Sequence, residues 1–134
     1  WQFLEAATSD QSSGIVWGCD GTSISGTQLS LGSGESNTTL IVSNCNEPSF
    51  AAKLCYNLAL GGQNDWYLPS VDELYLMYKN LHLKGLGNFI VPFPQYFSSS
   101  ELGPSNIYSF SFVDGHVGGY GKSSLLLVRA IRTY

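Results

Sequence analysis

The chain has 134 residues, of which 43% are hydrophobic and only 12% are charged. This length corresponds to one domain, residues 1–134, that buries about two thirds of its unfolded surface. The net charge is −4 and only six residues are Lys or Arg, so the chain lacks the basic stripe that nucleic-acid binding requires. It also lacks an apolar run of about 18 residues, so we expect no membrane insertion.

Short apolar runs alternate with Gly- and Ser-rich segments in the N-terminal part. Residues 1–7 and 14–18 are apolar runs bounded by Ser, Asp and Gly, which predicts two strands. Residues 21–34 predict a long loop or a β-hairpin, because Gly, Ser and Thr dominate them. Asn37 can cap a short helix that runs to Val42, although the β-branched residues there would serve a strand equally well.

Two segments in the middle of the chain have the apolar spacing of helices. In Ser49–Leu60 the apolar residues recur every three or four positions, which predicts a helix with one face on the core. Gly61 and Gly62 suit the left-handed conformation that closes a helix. Val71–Leu81 has a similar apolar face and predicts the second main helix.

The connector between these helices contains a helix-start signal. Pro69 and Ser70 are followed by Glu73, a pattern that forms a capping box at the start of a helix. Trp66 lies in the same short connector, where a large aromatic side chain packs on the core more readily than it faces water. We therefore predict structural roles for these four residues.

The C-terminal part predicts a sheet. Prolines make Val91–Pro94 extended, and three runs, 96–100, 107–113 and 125–132, predict strands. The last run is apolar on both faces, which is typical of a central strand. The chain is therefore predicted to be α+β, with two main helices packed on a twisted antiparallel sheet and long Gly/Ser-rich loops.

One arginine interrupts the apolar pattern of the last predicted strand. An unpaired guanidinium is too costly to bury, so Arg129 is predicted to form a structural ion pair. Asp65, Glu73 and Glu101 are the candidate partners. The alternative is that Arg129 anchors an anion in a pocket.

The three cysteines, Cys19, Cys45 and Cys55, predict a disulfide rather than a metal site, because Cys-x-x-Cys is missing and the two histidines lie far off in sequence. Pairing of Cys45 with Cys55 is favoured, since it would tie the start of a predicted helix to its last turns. The alternatives are a bond from Cys19 to one of the others, or three reduced thiols.

Four segments carry motifs that are specific in combination. They are Gly61-Gly-x-x-Asp-Trp-Tyr-Leu-Pro-Ser-x-x-Glu-Leu74, Gly32-Ser-Gly-Glu-Ser-Asn-Thr38, Tyr96-Phe-Ser-Ser-Ser-Glu101 and Val128-Arg-Ala-Ile-Arg132. Together they resemble the Lcl C-terminal domain family. The resemblance runs from about Trp17 to Arg132, nearly the whole chain.

The resemblance implies a single C-type-lectin-like domain that serves as a ligand-binding tip on bacterial adhesins or phage fibres. It favours a helix for Asn37–Val42 and implies no reaction. Family ligands include sulfated glycosaminoglycans, but the net charge of −4 makes a neutral glycan or a cell-surface protein the expected partner here. We expect an extracellular or cell-surface C-terminal module of a longer surface protein, compatible with a homotrimer.

The expected ligand surface is the loop-rich segment Leu102–Ser124. Its side chains combine aromatic faces with hydrogen-bond donors and acceptors, as glycan and protein recognition both require. The candidate ligand-binding residues are Ser105, Asn106, Tyr108, Asp114, His116, Tyr120 and Lys122. The alternative function is a structural or assembly module that packs on copies of itself or on a parent stalk.

No catalytic motif is complete, so we expect no enzymatic activity. Asp114 and His116 could join a serine in a triad, but a Gly-x-Ser-x-Gly motif is missing. No cofactor is predicted. The Glu-Pro-Asn and Gln-Pro-Asp loops of animal C-type lectins are also missing, although Asp20, Glu101 and Asp114 leave a calcium site open.

Overall fold

A computed structural model of the chain describes residues 3–134, so the start of the predicted strand 1–7 lies outside the described residues. The described part is α+β, as predicted. Its strands are β1 (Leu4–Ala6), β2 (Ser12–Ile15), β3 (Tyr96–Glu101), β4 (Asn106–Ser111), β5 (His116–Gly121), β6 (Leu126–Val128) and β7 (Ile131–Thr133). Its helices are α1 (Gly34–Asn44), α2 (Ala51–Tyr56) and α3 (Val71–Asn80), followed by a 3₁₀ turn over His82–Lys84.

The strands form two sheets. A small antiparallel sheet contains β1 and β7, and a larger sheet has the order β2-β6-β3-β4-β5. In the larger sheet β3 runs parallel to β6 through the pair Tyr96 and Leu127, so the sheet is mixed and the prediction of an antiparallel sheet is wrong. The difference arises because β6 pairs with the far side of β3 rather than with β5, which precedes it in the chain.

The predicted strand 125–132 is divided between the two sheets. β6 lies between β2 and β3, so the prediction of a central strand is confirmed for Leu126–Val128. The chain leaves this sheet at Arg129 and Ala130 and enters the small sheet as β7. The break coincides with Arg129, whose guanidinium bonds to oxygens outside both sheets.

Three helices are present, at the two predicted main helices and at the short helix that the resemblance favours over Asn37–Val42. α1 extends beyond both ends of the predicted segment 37–42. The predicted helix over Ser49–Leu60 is helical only over α2, because Leu60 pairs with Gln63 across a tight turn. Gly61 and Gly62 have φ angles of 62° and 78°, so they form this turn and do not close the helix.

α3 begins with the predicted capping box. Ser70 Oγ accepts a hydrogen bond from the Glu73 N–H at 3.3 Å, and Glu73 Oε1 accepts one from the Ser70 N–H at 2.8 Å. Pro69 is buried, and its carbonyl accepts a bond from the Ser99 N–H at 2.8 Å. α3 ends at Asn80, one residue before the predicted end.

The second carboxylate oxygen of Glu73 connects α3 to the segment before α1. Glu73 Oε2 accepts a hydrogen bond from the Gly32 N–H at 3.0 Å, and the side chain is fully buried. A Cβ on Gly34 would clash with Glu73 Oε1, so glycine is needed for this close approach. Burial raises the pKa of the Glu73 carboxyl group above 4.5, while the hydrogen bonds from Ser70, Gly32 and Gly34 oppose the rise.

This raised pKa predicts a pH dependence of stability. Between the ordinary pKa of 4.5 and the raised value, the folded chain keeps a proton that the unfolded chain has lost. The contribution of Glu73 to the free energy of unfolding therefore falls as pH rises through this window. In urea unfolding, the stability advantage of wild type over Glu73→Gln should be largest near pH 4 and smaller near pH 8.

The control for this prediction is Glu35→Gln, because Glu35 is exposed at the start of α1. This variant also removes one carboxylate charge, so it reports how much of the change in stability with pH comes from net charge rather than from burial. An advantage over Glu73→Gln that grew with pH would contradict the raised pKa.

The core contains the predicted tryptophan anchor. Trp66 is 5% exposed and packs in a cluster that includes Trp17, Ile41, Phe50 and Val128, so its predicted burial is confirmed. A second cluster lies between α3 and the larger sheet. Its aromatic members are Tyr67, Phe89, Tyr96, Phe110 and Phe112.

The disulfide joins Cys19 to Cys45, so the favoured pairing of Cys45 with Cys55 is wrong. Cys45 follows the last turn of α1 and meets Cys19, whose φ of 50° turns the chain towards it. Cys55 lies on the core-facing side of α2, fully buried, with its thiol free. Desolvation by burial raises the pKa of the Cys55 thiol well above its ordinary value.

Candidate functional site

The predicted ligand surface, Leu102–Ser124, is mainly a β-hairpin and not a set of loops. β4 and β5 pair over their full length, from Asn106 with Gly121 to Ser111 with His116. β5 forms one edge of the larger sheet. Regular strands therefore position most of the candidate residues.

The hairpin register separates the two predicted tyrosines. Tyr108 pairs with Gly119, and Tyr120 pairs with Ile107. Because neighbouring residues of a strand point to opposite faces, the two rings lie on opposite faces of the sheet. Both side chains are half-buried, but they do not line a common groove.

The polar candidates divide between the two ends of the hairpin. Ser105 and Asn106 are exposed at the start of β4, whereas Asp114 and His116 are exposed at the turn into β5. The length of β4 puts the two pairs about 17 Å apart. Asp114 Oδ1 accepts a hydrogen bond from the His116 backbone N–H at 3.0 Å, so this carboxylate stabilises the turn and does not orient the imidazole.

Lys122 is fully buried, so its predicted place on the ligand surface is wrong. Its Nζ donates to Glu101 Oε2 at 2.6 Å and to the Thr22 carbonyl at 2.8 Å. The ammonium also lies 4.8 Å from the centre of the Trp17 ring, which adds a cation–π contact. The residues around Lys122 are rich in Gly and Ser, which suggested an exposed side chain. The partners that bury it, Glu101 and Thr22, lie far from it in the chain.

Glu101 also connects the ion pair to the loop that follows β2. Its Oε2 also accepts a hydrogen bond from the Ile24 N–H at 2.7 Å. Trp17 Nε1 donates to the Ser98 carbonyl on β3 at 2.8 Å. The base of the hairpin is therefore joined by hydrogen bonds to β3 and to the 22–24 loop.

Arg129 forms the structural pair predicted for it, but with a different carboxylate. Its guanidinium lies 2.8 Å from Asp10 Oδ1 and is 1% exposed. It also donates to the carbonyls of Ala7, Gly87 and Asn88. All three guanidinium nitrogens are bonded to these oxygens, which favours the structural role over an anion anchor.

The second arginine of the C-terminal motif uses one of the predicted carboxylates. Arg132 Nε donates to Asp65 Oδ1 at 2.7 Å, and Nη1 donates to Glu5 Oε1 at 2.9 Å. These bonds lower the pKa of the exposed Asp65 carboxyl and raise that of Arg132. The pair lies at the surface and is screened by solvent.

One group of potential metal-binding side chains occurs in the described part of the chain, formed by Cys19, Cys45 and Glu47. Its sulfur atoms are joined in the disulfide, and Glu47 Oε2 accepts a hydrogen bond from the Cys19 N–H at 2.9 Å. The group therefore has a structural role. Asp20, Glu101 and Asp114 do not form a cluster.

A large groove lies between the small sheet, α1 and α3, and has a volume of about 1690 Å³. Its lining is mostly apolar and includes Leu4, Ala6, Leu31, Leu40, Leu76, Met77, Leu81 and Ile131. None of the candidate ligand-binding residues lines it. Sequence reasoning missed this groove because its walls come from segments far apart in the chain. A leucine within a Gly- and Ser-rich segment, Leu31, is a local signal that could have indicated it.

None of the helices in the described region has the length and apolar character needed to cross a membrane. No protein-family model matches the chain, and no curated protein matches it.

Proposed function

We propose that this chain is a non-catalytic ligand-binding module with a C-type-lectin-like fold, related to the Lcl C-terminal domain family. Three of the motifs behind this resemblance are joined by hydrogen bonds. Asn37 Nδ2 donates to Ser99 Oγ at 3.1 Å, and the Val71 N–H donates to Ser100 Oγ at 3.2 Å. Buried contacts between motifs that are distant in the chain support the resemblance, because residues that bond to one another in the core are expected to occur together in one sequence.

The proposed ligand surface is the face of the hairpin that carries Tyr108. The residue paired with Tyr108 on the neighbouring strand is Gly119, which has no side chain that could cover the Tyr108 ring. Leu102 is 50% exposed and would lie 3.4 Å from a Cβ on Gly119. An aromatic face beside an open backbone, with Asn106 exposed nearby, suits the stacking and hydrogen bonding by which proteins bind neutral sugars. This arrangement is the observation that carries the proposal.

The test is a screen of the purified domain on an array of neutral and sulfated glycans, with and without calcium. We expect a neutral glycan to bind, and Tyr108→Ala to weaken binding at least about fivefold, as removal of an interface aromatic does. Tyr56→Ala is the matched control, because Tyr56 is exposed on α2, outside the hairpin. Its affinity should equal that of wild type.

Tyr120→Ala separates the two faces of the sheet. A loss of binding in this variant, with none in Tyr108→Ala, would move the ligand surface to the opposite face. Sulfated-glycan binding in both variants at wild-type strength would overturn the hairpin site.

An assembly role has its own supporting observation. β5 is an open edge strand without a charged residue, and exposed charges are a common device against edge-to-edge pairing. A trimer or dimer in light scattering, together with no glycan binding, would favour the assembly module. A monomer would count against it.

A further inference from the structure

The groove between the small sheet and the helices α1 and α3 combines three features that indicate one kind of occupant. Its volume of about 1690 Å³ exceeds the roughly 300–1,000 Å³ of pockets that hold small molecules. Its apolar lining would bury large side chains. It shares no residue with the proposed ligand surface on the hairpin.

The second feature is an open strand edge along the groove. β1 pairs only with β7 among the described strands. Phe3 exchanges two backbone hydrogen bonds with Tyr134, and the Ala7 N–H donates to the Ala130 carbonyl. The backbone groups of Leu4 and Ala6 therefore point away from β7. Outside the small sheet, no described residue forms a backbone hydrogen bond with Leu4 or Ala6. Residues 4–8 all line the groove.

The third feature is charge. The charged residues that line the groove are Glu5 and Glu35. Glu5 is paired with Arg132, whereas Glu35 is exposed and forms no ion pair with residues 3–134. An occupant of complementary charge would therefore place a basic group beside Glu35.

We propose that the groove docks an extended polypeptide segment that has apolar side chains and a Lys or Arg, and that this segment adds as a third strand to the open edge of β1. Strand addition satisfies the backbone groups of Leu4 and Ala6, and alternate side chains of the segment enter the apolar groove. The basic residue pairs with Glu35 at the start of α1. Six residues of the segment would span about 20 Å, which matches the run of β1 and its flanks.

The experiment uses the whole chain and two pools of heptapeptides. In both pools every second position holds Val, Leu, Phe or Tyr. The positions between hold Thr or a charged residue, which is Lys in the basic pool and Glu in the acidic pool. Fluorescence anisotropy reports binding, and NMR reports amide hydrogen exchange. We expect the basic pool to bind and to slow exchange of the Leu4 and Ala6 amides about tenfold or more. The Glu5 amide, already paired with β7, is the internal control.

Variants at the groove test the charge. Glu35→Lys should weaken binding of the basic pool about three- to tenfold. Asp20→Lys, a charge reversal at an exposed position outside the groove, should leave it unchanged. Ala6→Pro removes one N–H donor from the edge of β1 and should abolish the protection of the Leu4 amide from exchange. The melting temperature of this variant shows whether it is folded. If it is not folded, Glu35→Lys is the variant that tests the proposal.

Equal binding of both pools, or binding without protection of Leu4 and Ala6, would overturn the proposal. So would no binding of either pool. These outcomes are independent of the glycan screen, because the hairpin residues tested there do not line the groove.

Discussion

Glu101→Ala is expected to reduce the free energy of unfolding by about 3–5 kcal/mol, the usual effect of leaving a buried charge without its partner. Lys122 is fully buried, and among residues 3–134 Glu101 is the one carboxylate bonded to its ammonium. The Thr22 carbonyl and the Trp17 ring would remain, but neither supplies an opposite charge. Urea unfolding followed by tryptophan fluorescence measures the loss.

The double variant Glu101→Leu with Lys122→Met is the decisive control. It removes both charges and keeps apolar volume, so it should recover most of the stability, as replacement of a buried ion pair by hydrophobic residues often does. Asp20→Ala removes an exposed carboxylate and should change stability little. A Glu101→Ala variant as stable as Asp20→Ala would show that Lys122 is not buried in solution.

Removal of the Cys19–Cys45 disulfide is expected to have the next largest effect. The bridge closes a sequence separation of 26 residues, for which the chain-entropy relation predicts a loss of about 3.5 kcal/mol. The double variant Cys19→Ala with Cys45→Ala removes the bridge without adding a polar group to the core. Its melting temperature should fall well below that of wild type and should not respond to a reductant.

Cys55→Ala is the matched control, since it removes a buried thiol and keeps the bridge. This variant should still lose stability when a reductant is added, as wild type does. Peptide mapping of the oxidised protein that found Cys45 bonded to Cys55 would refute the pairing, and so would a melting temperature of Cys55→Ala that a reductant leaves unchanged.

Local signals identified the segment between the last two helices well. The capping box needs only Ser70, Glu73 and the backbone between them, so four consecutive residues suffice to predict it. Burial of Trp66 followed from its size and its place in a short connector. The start of α3 and its anchor therefore required no knowledge of the rest of the chain.

Predictions from local sequence were wrong where one local pattern is compatible with two backbone conformations. Gly61 and Gly62 are compatible with a helix end or a tight turn, and the Leu60–Gln63 pair selects the turn. The segment after β3 looked like loops because β5 contains three glycines, yet pairing with β4 makes it a strand. Backbone pairing with a neighbour decided both cases.

Charged side chains were the least predictable feature. Arg129 bonds to Asp10, which is 119 residues away in the chain, and Lys122 bonds to Glu101 across the hairpin. Three carboxylates were candidates for Arg129, and none of them was the partner. Electrostatic pairing depends on distance in space, and sequence spacing does not reveal that distance beyond one helix or hairpin.

Four features were predictable from the amino-acid sequence: the α+β class, the capping box at the start of α3, the burial of Trp66 and the pairing of Arg129 within the protein. These features rest on composition, on periodicity and on contacts between residues close in the chain. Four others became known only from the folded chain: the partner of Arg129, the burial of Lys122, the Cys19–Cys45 bond and the groove beside β1. Each of these depends on segments that meet only after the chain has folded, because burial and charge pairing are properties of the packed whole.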